Sequence, residues 1–527
     1  MRRPTTTKAR GVVAAGHRKT AEAAKVVLEE GGNAFDAVLA AQFAACVVEP
    51  VFTSLGGGGF LLAHTAAGQN TLYDFFTQTP LHRSRVAEMD FYPIDADFGT
   101  ATQRFHIGMG SIATPGTVKG LFKVYEELCT LPIKRIMEPA MSLARHGVRM
   151  NQLQAYSFQV LESILTSTPA AFALYRNPDQ GNRLLAEGEL LRQPELGDTL
   201  EALADNGAQL FYRGEVGQRI LRDSHDRGGS LSRDDLYRYR VIKRKPLAFS
   251  YRGAQVQTNP PPSSGGVLIA FTLKLLEQLD IRGCGFGSAP YIRLLARTME
   301  TAQQVRAEII DGHPDDSYVS ARRLMNSRLL DAYRTSVLSH AESASGTTHI
   351  SVIDKKGNLA SLTTSNGEGS GYVIPGTGIM LNNMLGEEDI NPRGFHKGTP
   401  GRRLSSMVSP TVIFASDRSR MAMGSGGSNR IRTAMLQVLL NLIDFKVSTR
   451  SAVNRPRIHF ENGLLSVEAG FGSAEISCIK REFADLELWD ERNLFFGGVH
   501  IAGFDAPRKR FAGAGDPRRG GVTLIVN

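Results

Sequence analysis

Hydrophobic and polar positions divide the first fifty residues into two helices. Residues 20–30 have helical periodicity and stop at Gly31-Gly32-Asn33, which is a typical signal for a helix C-terminus. Residues 36–48 are rich in alanine and apolar on nearly every side, which predicts a second, buried helix. Four glycines, Gly56 to Gly59, then lead into a short apolar strand. Because glycine has no side chain to pack, we expect a packed turn there, beside an active site.

The pattern changes near residue 335. Residues 335–346 are small, polar and turn-prone, the composition of an exposed linker. Residues 347–354 are rich in β-branched side chains, and a turn at 355–358 separates them from a second strand at 359–365, which predicts a hairpin. A flexible tether that ends in Gly346, directly before a strand that starts with Thr347, suits self-cleavage of the chain.

Cleavage between Gly346 and Thr347 would begin with an N-to-O acyl shift. The Thr347 hydroxyl attacks the Gly346 carbonyl, the resulting ester is hydrolysed, and an N-terminal threonine remains. Its α-amine has a reference pKa of about 7.7–8.0, so it can serve as the base for its own hydroxyl. Taken alone, residues 347–354 are more typical of an ordinary edge strand that contains threonines than of a strand that begins with a catalytic nucleophile.

Composition and charge exclude several classes of protein. Of the 527 residues, 42% are hydrophobic and 21% charged, unlike a disordered chain, a coiled coil or a collagen. The net charge of +9 is spread along the chain in short basic clusters without interleaved aromatic residues, so we expect no nucleic-acid partner. The longest apolar run falls far short of the roughly 20 residues of a membrane span. No apolar signal-peptide segment follows the basic N-terminus.

The candidate metal and disulfide positions are weak. The four cysteines lie far apart and form no Cys-x-x-Cys pair, which favours reduced core residues over disulfides or a zinc site. His313 lies among three aspartates in residues 311–316, but the glycine and proline beside it favour a polar turn. We therefore expect a cytoplasmic protein that binds neither a metal nor a membrane.

Short motifs occur in a fixed order along nearly the whole chain: Gly31-Gly32-Asn33-Ala34-Phe35-Asp36-Ala37, Val48-Glu49-Pro50, Gly56-Gly57-Gly58-Gly59, Thr114-Pro115-Gly116-Thr117-Val118, Pro260-Pro261-Pro262-Ser263-Ser264-Gly265-Gly266, Thr347-Thr348-His349, Leu381-Asn382-Asn383, Leu404-Ser405-Ser406-Met407, Gly424-Ser425-Gly426-Gly427-Ser428 and Asp516-Pro517-Arg518. In this order they resemble the γ-glutamyltranspeptidase family of N-terminal nucleophile hydrolases. The resemblance implies an α/β (α+β) fold, the αββα four-layer sandwich. It also implies one proprotein cut into two intertwined subunits, residues 1–346 and 347–527, that stay associated; further oligomerisation stays open.

The resemblance assigns the catalytic roles. Gly346 and Thr347 correspond to the processing site, and Thr347 to the nucleophile that forms an acyl-enzyme. Ser365 stands where the family has a threonine that orients the nucleophile. Gly426 and Gly427 correspond to the glycine pair whose backbone N–H groups form the oxyanion hole. The resemblance implies no metal and no organic cofactor.

The substrate pocket departs from the family's pattern. Ser405 and Ser406 match the serine pair that holds the substrate's α-carboxylate, but Phe76 stands where the family has the arginine that clamps this group. Without that cation, the strongest electrostatic reason to select a free amino-acid end is lost. Met384 stands where the family usually has glutamine. Glu387 replaces the aspartate that pairs with the substrate's α-ammonium and is one methylene longer.

Further departures leave the substrate open. Gly367 stands where the family has asparagine, Glu388 or Asp389 could substitute for Glu387, and residues 387–405 are as short as in members without a lid loop. We expect a γ-glutamyltransferase or glutathione hydrolase-like enzyme that transfers a γ-glutamyl or related acyl group, mainly to water. One alternative is an acylase for glutaryl or other side-chain acyl groups, with apolar contacts from Phe76 and Met384. Another is an inactive, unprocessed family member that acts as a binding or structural protein.

Overall fold

A computed structural model of the chain describes residues 9–82, 84–97, 102–307, 324, 326, 330, 333 and 347–527. Gly346, the linker predicted at 335–346 and the turn predicted at 311–316 lie outside the described residues. The α-helices are α1 (Arg18–Glu29), α2 (Ala34–Val48), α3 (Thr117–Leu128), α4 (Ile133–His146), α5 (Gln152–Val160), α6 (Glu162–Leu165), α7 (Pro169–Tyr175), α8 (Pro194–Asn206), α9 (Gln209–Tyr212), α10 (Glu215–Asp226), α11 (Arg233–Arg238), α12 (Gly265–Leu276), α13 (Ile281–Cys284), α14 (Ala289–Val305), α15 (Arg430–Ile443), α16 (Thr449–Asn454) and α17 (Ser473–Ile479).

The strands are β1 (Gly11–Ala15), β2 (Gly58–His64), β3 (Asn70–Phe75), β4 (Tyr92–Asp97), β5 (Thr102–Ile107), β6 (Val148–Arg149), β7 (Leu190–Leu191), β8 (Ile242–Arg244), β9 (Leu247–Tyr251), β10 (Ala254–Thr258), β11 (Thr348–Asp354), β12 (Leu359–Ser365), β13 (Val373–Ile374), β14 (Ile379–Met380), β15 (Thr411–Phe414), β16 (Arg420–Gly426), β17 (Ile458–Glu461), β18 (Leu464–Val467), β19 (Asp485–Leu488), β20 (Gly498–Asp505), β21 (Arg510–Ala514) and β22 (Val522–Val526).

Two antiparallel sheets stack face to face between layers of helices. The first has the strand order β22-β1-β11-β12-β2-β3-β8, and the second has the order β21-β20-β16-β15-β10-β9. Strands β11 and β12 contact β16 across the interface, while α1 and α2 cover the outer face of the first sheet. Helices α12 and α15 cover the outer face of the second sheet. This is the predicted αββα four-layer sandwich.

The two N-terminal helices confirm the hydrophobic pattern. Helix α1 ends just before Gly31, and every residue of α2 is buried, as its apolar sequence requires. Asn33 caps α2: its side chain accepts the N–H of Asp36, and the Asp36 carboxylate accepts the N–H of Asn33 in return. This capping box satisfies N–H groups that the first helical turn leaves unpaired.

The predicted hairpin is confirmed, but it does not lie at a sheet edge. Strands β11 and β12 pair from Thr348 opposite Thr364 to Ile353 opposite Leu359. They are flanked by β1 and β2, so the edge-strand interpretation is wrong. Each sheet contains strands from both sides of Thr347. The two parts of the chain therefore share one core instead of forming separate domains.

The interface between the sheets is polar beneath the start of β11. The His349 ring nitrogens are hydrogen-bonded to Thr363 Oγ1 at 2.7 Å and to Ser351 Oγ at 2.8 Å. Ser361 Oγ donates to the Met423 carbonyl of the second sheet at 2.9 Å. Burial lowers the pKa of His349 well below its usual value, so this ring is neutral and supplies one donor and one acceptor.

Three expectations can be compared with the described part of the chain. No helix there is long and apolar enough to cross a membrane. No three potential metal ligands gather among these residues. The four cysteines are free thiols; Cys46 is buried in the core and the other three are only partly buried.

Candidate active site

A narrow cleft brings together most of the residues singled out from the sequence. Its volume of about 20 Å³ gives room for roughly one water molecule. The described residues that line it are Phe76, Thr347, Ser365, Met384, Glu387, Asp389, Ile390, Ser406, Met407, Val408, Ser428 and Ile431. Six predicted site residues are among them, whereas Ser405, Gly426 and Gly427 are not. Ser405 points away, because its hydroxyl donates to the Pro262 carbonyl at 3.0 Å.

Buried charged groups fix the backbone on either side of the Thr347–Thr348 peptide. Arg519 Nη1 donates to the Thr347 carbonyl oxygen at 3.2 Å. Thr348 Oγ1 donates to Glu49 Oε2 at 2.7 Å, and Thr20 Oγ1 donates to Glu49 Oε1 at the same distance. Burial raises the pKa of Glu49, and the two hydroxyl donors oppose this shift. The nucleophile candidate is therefore held at its carbonyl and through the residue that follows it.

The glycine pair lies directly against the nucleophile candidate. A Cβ atom at Gly426 would collide with the Thr347 carbonyl oxygen, so only glycine allows this approach. Gly427 has a φ of +122°, a conformation that side chains rarely adopt. The end of β16 therefore lies directly against Thr347, although neither glycine lines the cleft itself.

The four-glycine loop packs against the strand that carries Ser365. A Cβ atom at Gly57 would collide with the Ser365 carbonyl oxygen, and Gly58 pairs with Ser365 in the ladder between β2 and β12. Ser365 Oγ accepts the N–H of Gly367 at 3.1 Å. The predicted packed turn is confirmed, and its place beside an active site stays a prediction.

The wall of the cleft that contains Phe76, Met384 and Glu387 is called the acyl side here. It has no cation at the position of Phe76. Among the described lining residues, none is lysine or arginine. Phe76 is buried and stacks on Phe60 with 5.2 Å between the ring centroids. The nearby Arg403 is occupied behind Phe76, since it pairs with Asp74 at 3.2 Å and donates to the Phe76 carbonyl oxygen. It does not line the cleft and therefore does not replace the arginine missing at position 76.

Glu387 and Gly367 fit one another. Glu387 is buried on the cleft wall, and a Cβ atom at Gly367 would collide with Glu387 Oε1 and with Asn383 Oδ1. Asn383 Oδ1 is itself needed there, because it accepts the N–H of Glu368 at 2.8 Å. The space that a side chain at position 367 would need is thus filled by the longer acid at position 387.

Comparison with known proteins identifies the family. The sequence profile described as gamma-glutamyltranspeptidase matches residues 20–526. The chain belongs to the γ-glutamyltranspeptidase family. It is 31% identical to the glutathione hydrolase proenzyme of Escherichia coli (strain K12), covering 96% of this chain and 90% of that protein. It is 32% identical to the acylase ACY 1 proenzyme of Pseudomonas sp. (strain SE83), covering 88% and 85%.

Solved structures of similar proteins agree with the fold. The cephalosporin acylase from Bacillus halodurans superposes with a TM-score of 0.85 at 24% identity, covering 100% of this chain and 98% of that one. The Helicobacter pylori gamma-glutamyltranspeptidase superposes with a TM-score of 0.54 at 29% identity, covering 62% and 91%. The protein is accordingly an enzyme of the N-terminal nucleophile hydrolase type, which hydrolyses amides or transfers their acyl groups.

Two of the three acids at positions 387–389 line the cleft, Glu387 and Asp389. Glu388 is exposed and does not line the cleft. Asp389 lines it, but its carboxylate accepts hydrogen bonds from Ser428 Oγ and, at 3.1 Å, from Asn429 Nδ2. The Asp389 carboxylate therefore holds Ser428 and Asn429, the two residues that follow the glycine pair.

Sequence reasoning did not single out several residues in and around the cleft. Ser428, Met407 and Glu49 all lie inside motifs that carried the resemblance, and Arg519 directly follows one. The available signal was a charged residue within such a motif for Glu49 and directly after one for Arg519. The apolar lining residues had no comparable signal, because the sequence does not distinguish them from the core: these are Ile390, Val408 and Ile431.

Proposed function

We propose that the protein cleaves itself between Gly346 and Thr347 and then hydrolyses side-chain amides through a Thr347 ester. The observation that carries this proposal is the position of Thr347. It directly precedes a central strand and lines the cleft together with Ser365 and Glu387. The names of two relatives, both proenzymes, support processing of the chain into residues 1–346 and 347–527.

The self-cleavage step balances without any added reagent except water. The Thr347 hydroxyl oxygen bonds to the Gly346 carbonyl carbon, and the C–N bond to Thr347 breaks. The hydroxyl proton passes to the departing nitrogen, which becomes the α-amine. Water then hydrolyses the ester, so Gly346 ends in a carboxylate and Thr347 regains its hydroxyl.

Substrate hydrolysis repeats this chemistry with the amine as base. The α-amine takes the hydroxyl proton while Thr347 Oγ1 attacks the substrate carbonyl, and the N–H groups of Gly426 and Gly427 stabilise the oxyanion. The proton then passes to the leaving amine, and water releases the acid from the ester. Residues 387–405 are too short for a long lid, so water is the proposed acyl acceptor.

The charge of the cleft supports an acyl group that carries an amine. Glu387 offers a carboxylate, whereas the described lining residues offer no cation for a second carboxylate. The donor best placed for such a group is Ser406, whose Oγ accepts the N–H of Val408 at 3.0 Å and so can direct its own proton elsewhere. Because a hydroxyl compensates a buried carboxylate less well than a guanidinium, we propose that the amine of a γ-glutamyl group matters more than its carboxylate.

Four p-nitroanilides separate the two charges: γ-glutamyl, glutaryl, 4-aminobutanoyl and butanoyl. The first carries both groups, the second only the carboxylate, the third only the amine and the fourth neither. We expect kcat/KM to be highest for 4-aminobutanoyl and γ-glutamyl and lowest for glutaryl, by about tenfold or more. The preference for an amine would be refuted by glutaryl hydrolysis faster than 4-aminobutanoyl hydrolysis.

The second candidate function is an acylase, which the relationship to acylase ACY 1 favours. Its apolar contacts would come from Phe76 and Met384, and fast cleavage of butanoyl or larger apolar anilides would support it.

A third outcome concerns processing itself. If purified protein remains one folded chain with no N-terminal Thr347, the enzymatic proposal fails and the alternative of an unprocessed binding protein takes its place.

A further inference from the structure

Arg519 is a buried cation at the carbonyl of the nucleophile candidate. It lies in the turn after β21, with 6% of its surface exposed, and Nη1 donates to the Thr347 oxygen at 3.2 Å. Its guanidinium lies over the Phe52 ring, 5.5 Å from the ring centroid. A Cβ atom at Gly426 would lie 3.2 Å from Nη1, so Arg519 also packs against the glycine pair.

The positive charge of Arg519 is compensated only at a distance, by Glu368, Asp516 and Glu49. Among the described residues, no carboxylate oxygen forms an ion pair with it within 4.0 Å, and its Nε has no hydrogen-bond partner. Asp516, the acid nearest in sequence, already pairs with Arg457 at 2.6 Å and with Arg518 at 3.1 Å. Burial lowers the pKa of Arg519 to about 10, which still leaves it charged at neutral pH. Burying a cation without a direct ion pair is costly, which points to a function for Arg519 at this place.

The charges around Thr347 show what this task would be. The ionisable groups that face Thr347 or Arg519 from the neighbouring elements are Glu49, Glu368, Glu387, Asp389, Arg430, His500 and Asp516. Most of them are acids, and nearby acids favour the protonated form of an amine. A protonated α-amine cannot accept the Thr347 hydroxyl proton.

We propose that Arg519 is a positioning residue that fixes the Thr347 carbonyl and keeps the α-amine of processed Thr347 in its uncharged, basic form. This inference rests on the proposed function, because the amine exists only after cleavage. The hydrogen bond to the carbonyl orients the residue, and the positive charge a few ångströms away disfavours a second cation. Both effects act through Thr347, and Arg519 itself does not touch the substrate.

The pH dependence of kcat/KM tests the inference in processed enzyme. In the profile of kcat/KM against pH, the acidic limb marks the pH at which the α-amine loses its proton. For Arg519→Gln, the nearby positive charge is lost, so we expect this limb to move up by about one pH unit. The value of kcat/KM then falls about tenfold at pH values below the limb and recovers above it. Arg519→Lys keeps the charge, so its limb should stay within about 0.3 unit of wild type while kcat falls from poorer orientation. Arg457→Lys is the matched control: this buried arginine pairs with Asp516, so its replacement should lower stability and leave the limb in place.

A variant that removes a negative charge instead of a positive one keeps the inference testable even if Arg519→Gln does not fold. Glu368→Gln removes an acid near Arg519, so the acidic limb should move to lower pH. The inference is overturned if the Gln and Lys variants of Arg519 both keep the wild-type limb, or if Lys shifts it as far as Gln does. If Arg519→Gln does not fold, an unshifted limb in Glu368→Gln or a shifted limb in Arg519→Lys overturns it. An uncleaved wild-type chain would instead refute the proposed function, and this inference with it.

Discussion

The two sides of the cleft are built differently. The nucleophile side consists of the start of β11 and the end of β16, where ladder hydrogen bonds, Glu49 and Arg519 fix the backbone. The acyl side consists mainly of loops, in which Phe76 follows β3 and Glu387 lies between two short turns. All departures from the family's binding residues except the conservative Ser365 fall on the acyl side.

This difference shows where such an enzyme can change. On a central strand, one altered residue disturbs two neighbouring strands and both sheets. A loop residue can change if its few neighbours adjust, as Gly367 does for Glu387. The chemistry can therefore stay constant on the scaffold while the acyl group is selected by the loops.

The largest expected effect is on the nucleophile side. Thr347→Ala should abolish both self-cleavage and hydrolysis, because the attacking oxygen is gone. Thr347→Ser keeps the hydroxyl and should still be cleaved, though more slowly. Intact mass and N-terminal analysis of each protein measure the outcome: fragments of residues 1–346 and 347–527, or one chain. Cleavage of the Ala variant at this site would exclude Thr347 as the nucleophile.

Gly426→Ala tests the close approach of β16 to Thr347. The added methyl group would collide with the Thr347 carbonyl oxygen. We expect slow processing and a kcat about 10²–10³ lower, because the collision would displace the N–H of residue 426, and an oxyanion-hole donor that is lost usually costs this much. Gly181→Ala is the control, because its nearest neighbour would be 3.8 Å away and activity should not change. Full activity of Gly426→Ala would remove this glycine from the site.

Sequence reasoning succeeded where one pattern decides one element. The buried helix α2 follows from its apolar sequence, and the β11–β12 hairpin follows from β-branched runs around a turn. Family motifs then placed Thr347, Ser365 and Ser406 in the same cleft.

The remaining features depend on contacts between distant residues. Glu49 and Thr348 are 299 positions apart, and Arg519 and Thr347 are 172 apart, so no local pattern pairs them. Ser406 lines the cleft and Ser405 does not, and two adjacent serines in a sequence give no sign of which one faces inward. The fit between Gly367, which lacks a side chain, and the longer Glu387 likewise becomes apparent only in the three-dimensional structure.

A double-mutant cycle tests that compensation on the acyl side. Gly367→Asn alone should collide with Glu387, and Glu387→Asp alone should leave a gap, each lowering kcat/KM for γ-glutamyl-p-nitroanilide about tenfold. The double variant restores the family's pair and should recover most of this loss, a coupling of about 1 kcal/mol or more. Gly367 has a φ of +64°, which asparagine tolerates better than most residues. Strictly additive losses would mean that the two positions are independent.

Phe76→Arg tests whether the residue at position 76 controls recognition of the substrate's α-carboxylate. A guanidinium at this position would supply the missing cation, so γ-glutamyl should gain over 4-aminobutanoyl by several-fold. The gain is limited because Arg would also lose the stacking on Phe60 and enter an apolar site. Phe76→Leu is the control: it loses the stacking without adding charge and should leave the ratio of the two substrates unchanged. An unchanged ratio in Phe76→Arg would place the carboxylate elsewhere.

Acid sensitivity should also distinguish the two sides, with the smallest effect of these tests. Burial lowers the pKa of His500, which lies beneath the nucleophile side, to about 4 in the folded protein, compared with about 6.5 when unfolded. The unfolded chain therefore binds the extra proton first, and stability is lost as the pH falls from about 6.5 to 4, by up to roughly 1.4 kcal/mol per pH unit. Against the effect of burial, Arg457 and Arg518 lower the pKa of Asp516 to about 2, so the contribution of Asp516 to stability is lost only below this range.

His500→Asn should flatten that slope, which denaturant unfolding at pH 4.5, 5.5 and 6.5 would measure. The variant keeps an acceptor near the position of His500 Nδ1, which accepts the N–H of Asp516 at 3.1 Å. His396→Asn is the matched control on the acyl side: its φ of +57° suits asparagine, and this partly exposed ring should change the slope much less. Equal slopes in wild type and His500→Asn would mean that His500 does not couple protonation to folding. A flatter slope in His396→Asn alone would move the acid-sensitive contact to the loops and reverse the comparison.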